Sequence, residues 1–316
     1  MTAVPEATPV ADFEGVTKWY GPVIGVNDVR VAIYPGVTGL VGTNGAGKTT
    51  LIKLLTGHLR PTLGQVRVGP HESWSAAAKR QIGYCPEVDT LYEEMTGRSF
   101  LTTMARLQGW TGSELTDRVD QVLKQVGMFD RAHRRLKGCS KGMRQRIKLG
   151  QALIHDPNLI VVDEPLNGVD PVGRLELMDL FRALAERGKA VLVSSHILGE
   201  MDDFAERVIF MGRGRVLAVG TLGEIRALFA DMPLQVRVIC PQARALAKEL
   251  MLCESVQGVT IARSDELSLE VVHAAVLFRQ LAELAAGGQF EIQRLETTDV
   301  TTEATFGYVM SAAAQF

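Results

Sequence analysis

The sequence predicts an α/β fold with a helical segment inserted between its strands, followed by a small α+β unit. Three observations predict it. Apolar strand-length runs alternate with helical periodicity from about residue 13 to 220, helical periodicity with few strand signals fills about 93–156, and the texture changes after Gly220. The 316 residues are 46% hydrophobic and 22% charged, enough to bury a sizeable core. The net charge of −2 argues against bulk electrostatic capture of nucleic acid or anionic lipid.

Each element follows from local pattern. Residues 1–14, MTAVPEATPVADFE, lack a basic segment followed by an apolar core, and read as a short flexible lead-in rather than a signal peptide. Residues 37–41 are an apolar strand ending at a Gly-rich turn, and a helix follows from Lys48 until Gly57 and Pro61 close it. Residues 159–163 and 190–194 are short and apolar, as expected of parallel strands covered on both faces. Between them, Asp170 is a good N-cap and Pro171 fits the first helical position. Leu177, Phe181 and Leu184 then form a core-facing stripe, and Gly188 supplies the stop.

After Gly220, residues 235–240 alternate as a strand and 243–252 read as a helix with Leu246 and Leu250 on one face. Strands at 259–263 and 267–271 flank a Ser264-Asp265 turn, a helix spans 276–286, a strand spans 290–295 and a last helix spans 303–313. The order β-α-β-β-α-β predicts a ferredoxin-like unit. The expected division is 11–220, with the helical subdomain at about 88–156, and 221–316. Cys85, Cys139, Cys240 and Cys253 match no CxxC or zinc spacing and read as reduced thiols. No apolar run approaches the ~20 residues of a membrane span, so action at a membrane requires recruitment by a partner.

Residues 42–50 read GTNGAGKTT, and Gly42 to Thr49 satisfies GxxxxGK[ST]. Gly42, Thr43, Asn44, Gly45, Ala46 and Gly47 let consecutive backbone N–H groups turn inward around a phosphate. Lys48 places a point charge on the β- and γ-phosphates, the Thr49 hydroxyl is placed to ligate Mg2+, and the helix carrying Lys48, Thr49 and Thr50 adds its positive dipole end. Residues 159–165 read LIVVDEP. Asp163 ends a buried strand, where a carboxylate is costly unless it meets a cation, and Mg2+ through water is the natural partner. Glu164 is expected on the other side of that strand, as the candidate general base for the attacking water. Residues 194–198 read SSHIL at the end of the next strand. Parallel sheets bind ligands at their carboxyl ends, which assigns His196 to the γ-phosphate.

Residues 139–146, CSKGMRQR, resemble the signature of the ATP-binding cassette (ABC) ATPases, LSGGQ followed by a basic residue, Gln and Arg. Ser140 can cap the following helix, and Gly142 leaves backbone N–H near its start open to an anion. Cys139, Lys141 and Met143 depart from LSGGQ in a form that resembles exporter ATPases. The resemblance implies that Ser140, Lys141, Gly142 and Met143 close on the γ-phosphate of ATP held by a second subunit. Tyr20, in VTKWYG, sits where the family stacks an aromatic ring on adenine; Trp19 is the alternative, with the other of the two in the core. Residues 166–170, LNGVD, resemble the loop that couples the two sites and bring in Asp170. Residues 82–87, IGYCPE, resemble the loop joining core to helical subdomain. The family usually carries Gln where this chain has Glu87, so a carboxylate approaches metal and water there as a charge.

The resemblance covers about 13–220, two-thirds of the chain. It implies a P-loop NTPase cassette using ATP and Mg2+, with Lys48, Glu164 and His196 in catalysis and Thr49, Asp163 and Glu87 toward the metal. It further implies a second ABC subunit in a homodimer, an integral membrane permease, no nucleic-acid partner, and a place on the inner face of the cell membrane. The leading function is powering export of an unspecified substrate. An ABC ATPase acting on ribosomes or nucleic acid, or driving membrane signalling, stays open as the alternative.

Overall fold

Apolar runs set the strands of this chain, and Gly, Pro and Asp between them set the turns. The computed structural model describes residues 8–228, 233–297 and 302–313. The chain divides into two units, Met1–Thr221 and Leu222–Phe316. Along the first run β1 (Ala11–Tyr20), β2 (Val23–Ile33), β3 (Gly36–Val41), α1 (Lys48–Leu55), β4 (Leu63–Val68), β5 (His71–Glu72), α2 (Ala76–Lys79) and β6 (Ile82–Cys85). Three helices follow, α3 (Gly97–Leu107), α4 (Gly112–Gln125) and α5 (Lys141–Leu153). The unit ends with β7 (Leu159–Asp163), α6 (Pro171–Glu186), β8 (Ala190–Ser195), β9 (Arg207–Gly212) and β10 (Arg215–Gly220).

The central sheet has the order β10-β9-β3-β8-β7-β6, parallel except for β10 at its edge. β7 and β8 are buried at every position, as strands covered on both faces must be. A second, antiparallel sheet has the order β2-β1-β4-β5. Leu51, Ile52, Leu54 and Leu55 of α1 share one core with Phe13 and Val66 of that sheet and Leu40 and Val161 of the central one. Each such buried side chain contributes about 1.5–3 kcal/mol. Register brings three strand ends level: Asp163 lies opposite Ser194, and Val41 opposite Ser195.

The helices begin and end where side chains can satisfy them. Ser140 Oγ accepts from Met143 N at 3.3 Å at the start of α5. At its other end, Arg118 donates through Nε to Ile154 O at 2.8 Å and through Nη2 to Leu153 O at 2.6 Å, filling carbonyls a helix end leaves orphaned. Asp170 caps α6 by accepting from Gly173 N at 3.2 Å, with Pro171 in its first turn.

The second unit runs α7 (Leu222–Ala227), β11 (Leu234–Ile239), α8 (Ala243–Leu250), β12 (Val256–Arg263), β13 (Glu266–Val271), α9 (Ala274–Ala286), β14 (Arg294–Thr297) and α10 (Thr302–Ala313). Its sheet is antiparallel throughout, in the order β12-β13-β11-β14. Val236, Val238, Leu246, Leu250, Leu269 and Leu277 lie in its own core.

Several expectations are corrected. The last strand is β14, not 290–295: Phe290 and Ile292 pack on the core, but ladder pairing with β11 involves only Arg294 to Thr297. β1 begins at Ala11, so the end of the expected lead-in is already paired; residues 1–7, and 298–301 near the last helix, lie outside the described residues. Neither Trp19 nor Tyr20 is a core residue, being 41% and 44% exposed. They pair with Ile24 and Val23 at the tip of the β1–β2 hairpin, beyond the packed layers. All four cysteines are free thiols. Among the described residues no helix is long and apolar enough to cross a membrane.

Candidate functional site

A cleft of about 550 Å3 opens at the carboxyl ends of the central strands, where parallel sheets bind ligands. Its floor is the loop from β3 to α1. Gly47 holds φ 106°, and a Cβ there would stand 2.9 Å from Gly25 O; a Cβ on Gly42 would stand 2.5 Å from Met211 O. Only glycine allows both the backbone conformation and the close approach. Gly47 is also the N-cap of α1 and provides no side-chain acceptor. The first-turn N–H groups therefore face the cleft as an anion-binding end.

Lys48 is 7% exposed. Its Nζ donates to Gly42 O at 2.6 Å and lies 3.4 Å from Thr43 O. Glu164 Oε1 stands 3.9 Å away, at the outer limit of an ion pair. Burial lowers the Lys48 pKa, opposed by the charges of Glu164, Asp163 and Glu87. A desolvated cation held by carbonyls, with carboxylates around it, is poised to exchange those contacts for phosphate oxygens.

Asp163 is 4% exposed and accepts from Ser194 Oγ at 2.6 Å. Burial raises its pKa, and the Ser194 bond opposes that rise. Ser194 is fully buried, and the same hydroxyl accepts from Glu164 N at 2.9 Å. Glu164 departs from the expected alternation. Its φ of 49° is left-handed, and the chain turns so that its side chain lines the same cleft as Asp163. Such a conformation costs a non-glycine residue about 1–3 kcal/mol, and strain of this kind clusters at functional sites. His196 donates through Nδ1 to Glu164 Oε2 at 2.8 Å. Burial raises the Glu164 pKa, opposed first by the His196 bond. A carboxylate with heightened proton affinity, oriented by an imidazole, has the character of a general base.

Thr43, Asn44, Gly45, Ala46, Thr49, Thr50 and Glu87 also line this cleft. Tyr20 is near it through its hydroxyl, 3.4 Å from Thr50 Oγ1. Ser140, Lys141, Gly142, Met143 and Asp170 do not line it. They gather where the start of α5 meets the loop before α6: Lys141 Nζ lies 2.5 Å from where a Gly168 Cβ would stand, and the Gly142 Cβ position is 3.8 Å from Asp170 Oδ1. Sequence reasoning singled out neither Ser194 nor the Val23–Ile24–Gly25 wall and Asn167, all of which shape the site. Two serines closing an otherwise apolar strand beside an Asp-ended one were the available signal for Ser194.

The ABC transporter family profile matches residues 26–167. The daunorubicin/doxorubicin resistance ATP-binding protein DrrA of Streptomyces peucetius is 34% identical over 286 residues, spanning 89% of this chain and 86% of that protein. The linearmycin resistance ATP-binding protein LnrL of Bacillus subtilis (strain 168) is 33% identical over 211 residues, 66% of this chain and 68% of that protein. The solved structure of an ATP-binding subunit of an ABC transporter superposes with a TM-score of 0.64 at 29% identity, covering 70% of this chain and 93% of the other. A phosphate loop, a buried Asp-Glu strand end and a His-oriented carboxylate, on a chain this similar along its length, place it: the protein belongs to the ABC transporter family, as an ATP-binding subunit that hydrolyses ATP.

Proposed function

We propose that this subunit works as a homodimer beneath a separate membrane permease and powers export of a drug-like small molecule. The observation that carries the chemistry is the convergence of Lys48, Asp163, Glu164 and His196 on one phosphate-loop cleft. The export branch is supported by the two resistance proteins among its relatives and by the Lys-Gly-Met variant of the signature.

In this reading the N–H groups of residues 42–50 and the Lys48 ammonium bind the β- and γ-phosphates. Glu164 accepts the proton of the attacking water as the bond to the γ-phosphorus forms and the bond to the ADP oxygen breaks. His196 holds Glu164 in place and faces the γ-phosphate. Tyr20, with Val23 and Ile24, offers the base an apolar platform. Thr49, Asp163 and Glu87 present oxygen donors to one cleft, the donor type that suits Mg2+. Among the described residues no three His, Cys, Asp or Glu side chains are grouped to hold a metal alone, so these residues would hold the ion only together with the nucleotide. When bound, Mg2+ supplies charge neutralisation at the phosphates.

Ser140, Lys141, Gly142, Met143 and Asp170 lie outside the cleft of their own copy, which supports their serving the cleft of a second copy. The cassette is read as 11–220 with its helical subdomain at about 88–156. The remainder, 221–316, is read as a ferredoxin-like accessory domain, supported by the order β12-β13-β11-β14. The permease would hold the chain at the inner face of the membrane, contacting it within residues 88–100, where Val88 and Tyr92 are exposed. The test is reconstitution in the native membrane. Efflux should require ATP and fail in Glu164→Gln, with a multi-span subunit co-purifying. Efflux that persists without ATP or in Glu164→Gln, or the absence of any co-purifying multi-span subunit, would refute the transport reading.

A further inference from the structure

α5 does more than present Ser140; it grips the segment that follows β6. Arg144 pairs with Asp89, and its Nη1 donates to Leu136 O at 2.9 Å. Gln145 Nε2 donates to Cys85 Sγ at 3.5 Å. One turn further along, Lys148 Nζ donates to the backbone O of Glu87 at 3.0 Å. Lys148 is only 3% exposed; its charge is felt by Asp89, but its hydrogen-bond acceptor is a neutral carbonyl. A buried ammonium held by a neutral carbonyl is unfavourable, and an apolar side chain would fill the space more cheaply. What distinguishes that carbonyl is its residue: Glu87 carries its carboxylate into the cleft beside Lys48, Asp163 and Glu164.

We propose that Lys148 is a positioning residue that sets where the Glu87 carboxylate enters the cleft, making α5 and the metal side of the site one mechanical unit. The proposal rests on the reading of this cleft as the ATP site. Glu87 adds a third carboxylate there, so its placement decides how strongly the protein's own charge favours a divalent cation and opposes a bare phosphate. A shift of α5 at one end moves Glu87 at the other.

The test compares Lys148→Met, which removes the donor and keeps the volume, with Lys148→Arg, which keeps a cationic donor. Hydrogen exchange of the buried Leu91 amide, which donates to Asp89 Oδ1 at 3.1 Å, should quicken about tenfold in Lys148→Met and remain near wild type in Lys148→Arg. The Mg2+ concentration for half-maximal ATP binding should rise about tenfold in Lys148→Met. Adding Lys148→Met to Glu87→Ala should produce no further rise. Unchanged exchange, or an equal rise with and without Glu87, would overturn the proposal. If Glu87→Ala alone leaves the Mg2+ requirement unchanged, the metal role of Glu87 falls, and exchange alone then decides whether the Lys148 clamp stands. Lys148→Leu serves the same comparison if the Met variant does not fold.

Discussion

Ser194→Ala removes one oxygen atom and unsettles both carboxylates of the site. The hydroxyl donates to Asp163 Oδ1 at 2.6 Å and accepts from Glu164 N at 2.9 Å, with no solvent exposure. A hydrogen bond to an ionised carboxylate is worth about 1.5–3 kcal/mol, and orphaning a buried N–H costs about 1–3 kcal/mol. The two share one hydroxyl and are not fully additive, so the expected loss is about 3 kcal/mol. For a domain of this size that lowers the melting point of the cassette by roughly 6–12 °C. The Glu164 N–H also anchors a left-handed residue, so its loss frees the candidate base to drift. Turnover should fall about a hundredfold, equivalent to ~2.7 kcal/mol of barrier. KM for ATP should change little, because the phosphate loop is untouched. Calorimetry and steady-state phosphate release measure both. A melting point within a degree or so of wild type, together with kcat within about twofold, would refute the bridging role.

Lys48→Ala should weaken ATP binding at least about tenfold and abolish hydrolysis, measured by titration calorimetry and phosphate release; wild-type turnover would contradict the phosphate-loop assignment. Arg118→Ala strips two caps from the end of α5 and should cost about 1–3 kcal/mol in denaturant melts; an unchanged melt would show that water replaces them. Burial lowers the His155 pKa below 6.5, so the unfolded chain binds a proton that the native state refuses. Stability should fall as pH drops through about 6.5 toward the lowered native value, and His155→Gln should flatten that slope; an identical slope in the variant would remove His155 from the account.

The pattern of the sequence reached some residues and not others, for physical reasons. Asp170 and Pro171 start α6 because capping and a fixed φ act locally, and β7 falls on Leu159–Asp163 because burial on both faces leaves no polar residue before its last, Asp163. Lys48 and its glycines were legible because the loop chemistry is contiguous. Glu164 was placed on the wrong side because alternation assumes extended backbone, and φ 49° is invisible to periodicity. Ser194 was passed over because its partners lie about thirty residues away and meet it only through parallel register. Phe290 and Ile292 read as a strand because apolar alternation records burial, whereas a ladder also requires a partner in register.

The central claim is that Lys48 and Glu164 work on an ATP whose γ-phosphate is completed by a second copy of the chain. A structure of Glu164→Gln with ATP and Mg2+ tests it most directly. The account predicts a dimer with the phosphates on the loop 42–50, Lys48 Nζ hydrogen-bonded to them, and the other copy's Ser140 touching the γ-phosphate. Nucleotide bound away from Lys48, or both Ser140 helices remote from every γ-phosphate, would contradict it.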